Sequence, residues 1–77
     1  MDHRQLRDDF EATLAETRSH ERDFMGLTES AVAILAGQLG VELRVIRDDH
    51  TALTLDWRSR RITVDVRTGR VTRAEAG

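Results

Sequence analysis

The stretch Leu53-Thr54-Leu55-Asp56-Trp57-Arg58, followed after Ser59 by Arg60-Arg61-Ile62-Thr63-Val64-Asp65-Val66, decides how the chain is read. Apolar and polar residues alternate on both sides of Ser59, the period-two signature of half-buried strands. Between the two runs lies an arginine-rich interruption instead of the Asn-Gly or Asp-Gly pair of a tight hairpin. Two readings are open. In one, the runs form a β-hairpin with a polar bend, and Leu53, Leu55 and Trp57 share a buried sheet face. In the other, the first run is a displayed loop between two strands, with Leu55-Asp56 at its tip and Arg61 reaching back to hold it.

Working outward, 77 residues suffice for one small core and not for two. Scaffolds of this size commonly add disulfides or a metal. Cysteine is absent, which removes a disulfide framework, a thiolate nucleophile and a cysteine zinc site together. Proline is also absent, so glycines at 26, 37, 40, 69 and 77 carry the punctuation. A formal charge of −2 with 34% charged residues describes a mixed-sign surface and gives no general attraction to nucleic acid. Every basic residue is arginine. Arg58, Arg60, Arg61, Arg67 and Arg70 cluster, but Asp56 and Asp65 are interleaved with them. No apolar run approaches the ~20 residues that span a bilayer, and the charged N-terminus lacks the apolar stretch of a signal peptide. The expectation is a cytoplasmic protein with no membrane partner and no cofactor.

Residues 1–23 read as a helical N-terminal extension and 24–77 as an α+β domain. Asp2 and Gln5 have capping-box spacing, and Leu6, Phe10 and Leu14 form a narrow stripe that ends at Leu14. The blander reading of this helix is a solvated element docked loosely on the domain. The sharper one is a surface for self-association or for a protein partner. His3 and His20 are too far apart for metal-ligand spacing.

From Phe24 to Gly40 the pattern is that of a core helix. Thr28 or Ser30 can cap it, Glu29 complements its dipole, and Ala31, Val32, Ile34, Leu35, Gln38 and Leu39 recur at threes and fours. Gly40 stands where a left-handed residue ends such a helix. Val41 to Arg47 alternates as a strand. Asp48-Asp49-His50-Thr51 is a polar connection, since adjacent side chains on extended backbone diverge and cannot readily share a metal. Ile62 to Val66 is a strand, Arg67 to Arg70 a turn that uses Gly69, and Val71 to Arg73 a short final strand. The expected architecture is one amphipathic helix packed on a small mixed sheet, with an exposed loop between two strands.

No catalytic arrangement emerges. The serines at 19, 30 and 59 lack a nucleophile-elbow context, the glycines form no phosphate-cradling loop, and the histidines are scattered. The chain is not expected to be an enzyme.

Thr54-Leu55-Asp56-Trp57-Arg58 followed by Arg61-Ile62-Thr63-Val64 resembles the reactive-site segment of the potato inhibitor I family of serine-protease inhibitors. The order of elements from Phe24 to Gly77 is also similar. In the family's small bacterial members the likeness extends to Arg44-Val45-Ile46-Arg47 and to Gly69-Arg70-Val71-Thr72-Arg73. The resemblance implies that residues 54–58 form a protease-binding loop, with Leu55 entering the specificity pocket and Leu55-Asp56 the presented bond. Thr54 and Asp56 would accept hydrogen bonds from Arg61. A guanidinium suits that duty because its rigid fork of donors can tie a loop to its scaffold. A loop held in its bound shape loses little entropy on docking. Leucine would suit a chymotrypsin-like or subtilisin-like hydrophobic pocket.

This sequence also departs from the family. Thr63 stands where many members place a second supporting arginine, and Trp57 is bulkier than many occupants of its position. His50 replaces a common glycine, and Ala76 stands where bacterial relatives often carry cysteine. These departures keep a rival open: a non-inhibitory intracellular interaction module. It would use the N-terminal helix or the sheet edge to bind a partner, or form a homodimer through that helix.

Overall fold

The computed structural model describes residues 3–47 and 58–77, with side chains from Asp9 onward. Helix α1 (His3–Arg18) runs through a 3-10 turn (Glu21–Phe24) into helix α2 (Glu29–Leu39). Strands β1 (Glu42–Ile46), β2 (Arg61–Arg67) and β3 (Arg70–Ala76) follow. They form a three-stranded mixed sheet in the order β1-β2-β3, so the chain is α+β as its patterning predicts.

Helix α2 starts from the first of its two candidate caps and ends at Gly40 as its sequence predicts. Thr28 is extended, and its Oγ1 accepts the Ala31 N–H at 3.2 Å, satisfying a donor the first turn leaves open. At the other end Gly40 takes φ 67°, a conformation that penalises a Cβ, and the helix stops. Val32 and Ala36 are buried, with Leu35 and Leu39 packed beside them. Ile34 differs from its expected place on the apolar face: it lies 62% exposed on the outer side. Helix α2 is apolar nearly all round, and periodicity alone cannot choose which side meets the sheet.

The core is the even-numbered face of β2. Ile62, Val64 and Val66 point into it, with Leu43 and Val45 of β1 in register beside Ile62 and Val64. From β3, Ala76, Ala74 and Val71 stand opposite Ile62, Val64 and Val66. Phe24, fully buried, closes the cluster from the 3-10 turn. A ring of that size removed from water contributes about 1.5–3 kcal/mol.

Three local differences from the sequence reading have physical causes. First, β3 extends to Ala76, whereas alternation ended at Arg73. The register slips at Asp65/Val66, leaving Thr72 as an extra residue on β3, which inverts the alternation and returns Ala74 and Ala76 to the core. Second, the α1 stripe does not stop at Leu14: Thr17 is only 3% exposed and continues it at threonine's modest cost in apolarity. Third, the β2–β3 turn uses positive φ at both central residues, 54° at Thr68 and 77° at Gly69. That is the mirror-image turn favoured by the twist of hairpins, built here with a β-branched residue in an unfavourable region.

The expected boundary between extension and domain, at residue 23, falls inside the 3-10 turn. Asp2 of the expected capping box lies outside the described residues. No helix among the described residues is long and apolar enough to cross a membrane.

Candidate functional site: the two anchored ends of the β1–β2 connection

Strands β1 and β2 are parallel, with Glu42 beside Arg61 and Ile46 beside Asp65. The chain therefore leaves one end of the sheet after Ile46 and re-enters at the other, about 13 Å away at ~3.3 Å per residue. A parallel connection of this kind needs a dozen or so residues, which the interval between Ile46 and Arg61 supplies. Strand β2 is central, with β1 on one edge and β3 on the other. It has no free edge for a hairpin partner over Arg61–Asp65, so the hairpin reading of the central stretch fails. Residues 54–57, with the expected pocket residue Leu55, the Leu55-Asp56 bond and Trp57, lie outside the described residues.

The structure places both ends of that connection. At its start, the Arg47 carbonyl oxygen accepts a hydrogen bond from Arg67 Nη1 at 2.6 Å. The Arg47 side chain turns back to helix α2, with Nε 2.7 Å from Glu29 Oε1. Among the described residues that oxygen has no hydrogen bond of good alignment, and its close contact is the ion pair with Arg47. Both groups are well exposed, so this pair orients the strand end more than it stabilises the fold.

At the other end the ties are closer. The Glu42 N–H donates to the Arg60 carbonyl at 2.6 Å, opening the parallel ladder. The Thr17 hydroxyl lies 2.6 Å from the Ser59 carbonyl oxygen and 2.9 Å from the Thr13 carbonyl in its own helix. One hydroxyl carries one proton. The shorter contact reaches across the fold to the connection. Arg58, exposed, sets Nη1 3.5 Å from Glu42 Oε2. Between Thr17 and Arg60 a crevice lined also by His20 and Leu39, with about 20 Å³ of room, admits a water rather than a substrate.

Arg61, the expected loop support, is 4% exposed. Its Nε donates to the Gly77 carbonyl oxygen at 3.1 Å, and its own carbonyl accepts the Gly77 N–H at 2.8 Å. Thr63, at the position of the family's second arginine, directs Oγ1 toward the same Gly77 oxygen at 3.5 Å. The expected acceptors Thr54 and Asp56 lie outside the described residues.

Sequence reasoning missed Thr17, Arg67 and the backbone of Glu42 as anchors. Thr17 left a signal, because Phe10, Leu14 and Thr17 continue the helical spacing if a threonine counts as buried. Arg67 left none, since only the parallel register brings it beside Arg47. Among the described residues, no group of three His, Cys, Asp or Glu could hold a metal. Comparison of the chain with family models, with curated proteins and with solved structures finds no match in any of the three.

Proposed function

We propose that this protein is a serine-protease inhibitor of the potato inhibitor I type, presenting residues 54–58 to a chymotrypsin-like or subtilisin-like protease. Leu55 fills the hydrophobic pocket, and Leu55-Asp56 is the bond offered. The chain performs no chemistry of its own and needs no cofactor. Residues 24–77 form the presenting domain, residues 1–23 are an extension that lends Thr17 to it, and the protein meets its target in the cytoplasm.

One observation carries this reading: a segment strung between parallel neighbours β1 and β2 with both of its ends tied. Ties at the ends limit the shapes the segment can take, and each conformation removed before docking is entropy not lost on binding. The sequence resemblance supplies the residue types.

The test is inhibition of subtilisin and chymotrypsin by the intact protein, with Leu55→Asp beside it. Tight inhibition lost in that variant supports the reading. Rapid cleavage after Leu55 without inhibition makes the segment a substrate, and neither inhibition nor cleavage sinks the proposal.

A further inference from the structure

The two sheet edges differ. Along β3, the free side is met by Gly26–Thr28: Gly26 N–H donates to Val71, Val71 N–H donates to Leu27, and Thr28 bridges Arg70. Among the described residues no strand pairs with the outer edge of β1. The Glu42 N–H points to β2, so by alternation Leu43 and Val45 direct their N–H and C=O groups to the outer edge. A row of such groups is a template for another strand.

The sequence of β1, with Val41 just before it, says which strand fits. Val41-Glu42-Leu43-Arg44-Val45 reversed reads valine, arginine, leucine, glutamate, valine. Laid antiparallel on itself about Leu43, it sets valine against valine, leucine against leucine, and Glu42 against Arg44 twice. Opposed pairs lie on one sheet face, and opposite charges directly across an antiparallel pair are favourable. Centring the pair on Arg44 instead would oppose two guanidinium groups. Only the Leu43 register is complementary throughout.

We propose that a second copy of this chain is the occupant of the β1 edge. The pair forms a two-fold dimer whose continuous sheet is centred on Leu43. Leu43 N–H and C=O exchange two hydrogen bonds with Leu43 of the second copy. Val41 already gives its N–H to Ala36, so the ladder is short and the dimer weak. A two-fold axis normal to the sheet keeps both core faces on one side, so the half-buried Leu43 and Val45 gain cover from their counterparts. This proposal does not depend on protease inhibition.

The test is sedimentation of the full chain from micromolar to millimolar concentration, for the parent, Glu42→Arg, Arg44→Glu and their equimolar mixture. Circular dichroism checks that each variant is folded. Each single variant opposes like charges twice and should dimerise about tenfold or more weakly. The mixture restores both opposite-charge pairs and should form a heterodimer near parental strength. A parent that stays monomeric throughout overturns the proposal. So does a dimer indifferent to either charge reversal, or a mixture that fails to recover association.

Discussion

The Thr17 hydroxyl meets the carbonyl oxygen of Ser59 at 2.6 Å, joining α1 to the returning end of the β1–β2 connection across 42 positions of chain. The contact makes α1, whose Leu14 also packs on the core, part of the frame around the candidate loop. Thr17→Val keeps the branched shape and removes the donor, leaving the Ser59 carbonyl to find water or go unpaired. We expect a loss of about 1 kcal/mol, read as a melting temperature lower by ~4–8 °C. Faster amide exchange at Ser59 and Arg60 should accompany it, and Thr17→Ser should behave like the parent. An unchanged melting curve for Thr17→Val would remove this contact from the frame.

Arg61 and Gly77 hold each other twice, once through backbone and once through the guanidinium. A lysine keeps the charge but has no Nε–H at that point along the side chain. Arg61→Lys should therefore cost about 1–2 kcal/mol and speed exchange of the Gly77 amide more than that of the β2 core amides. Equal acceleration everywhere would point to global destabilisation instead.

How much of this was legible depends on range. The cap, narrowed to Thr28 or Ser30, the stop at Gly40 and the alternation of β1 and β2 are local, and each is legible from neighbours a few positions apart. The end of β3 was not, because the extra residue at Thr72 reverses the alternation on which strand reading rests. The choice between hairpin and displayed segment was also beyond pattern. Alternation at Leu53, Leu55 and Trp57 is the same in both, and only the placement of β1 and β3 on the two edges of β2 leaves a hairpin with β2 no edge to pair with. Arg67 acquires its partner from that placement too.

Thr68 offers a gain instead of a loss. At φ 54° a β-branched side chain crowds its own backbone, whereas asparagine tolerates this region and glycine is indifferent to it. Thr68→Asn should stabilise the protein by about 1 kcal/mol, seen as a higher melting temperature with the denaturant slope unchanged. Destabilisation by asparagine would mean that the Thr68 side chain makes a contribution this turn geometry does not explain.

Phe10 and Phe24 lie in the same N-terminal part of the chain and should respond very unequally to truncation to alanine. Phe24 is fully buried among Val32, Ile62 and Val64, while Phe10 is 38% exposed. Phe24→Ala should cost about 3–5 kcal/mol, a large share of the ~5–15 kcal/mol that holds a small domain together. Phe10→Ala should fall below about 1 kcal/mol, because the ring already keeps contact with water. Chemical denaturation of the two variants measures both. A Phe10→Ala loss as large as that of Phe24→Ala would mean that α1 docks along its length. The predicted asymmetry instead confines its attachment to the last turns, around Leu14 and Thr17, where the Ser59 carbonyl is held.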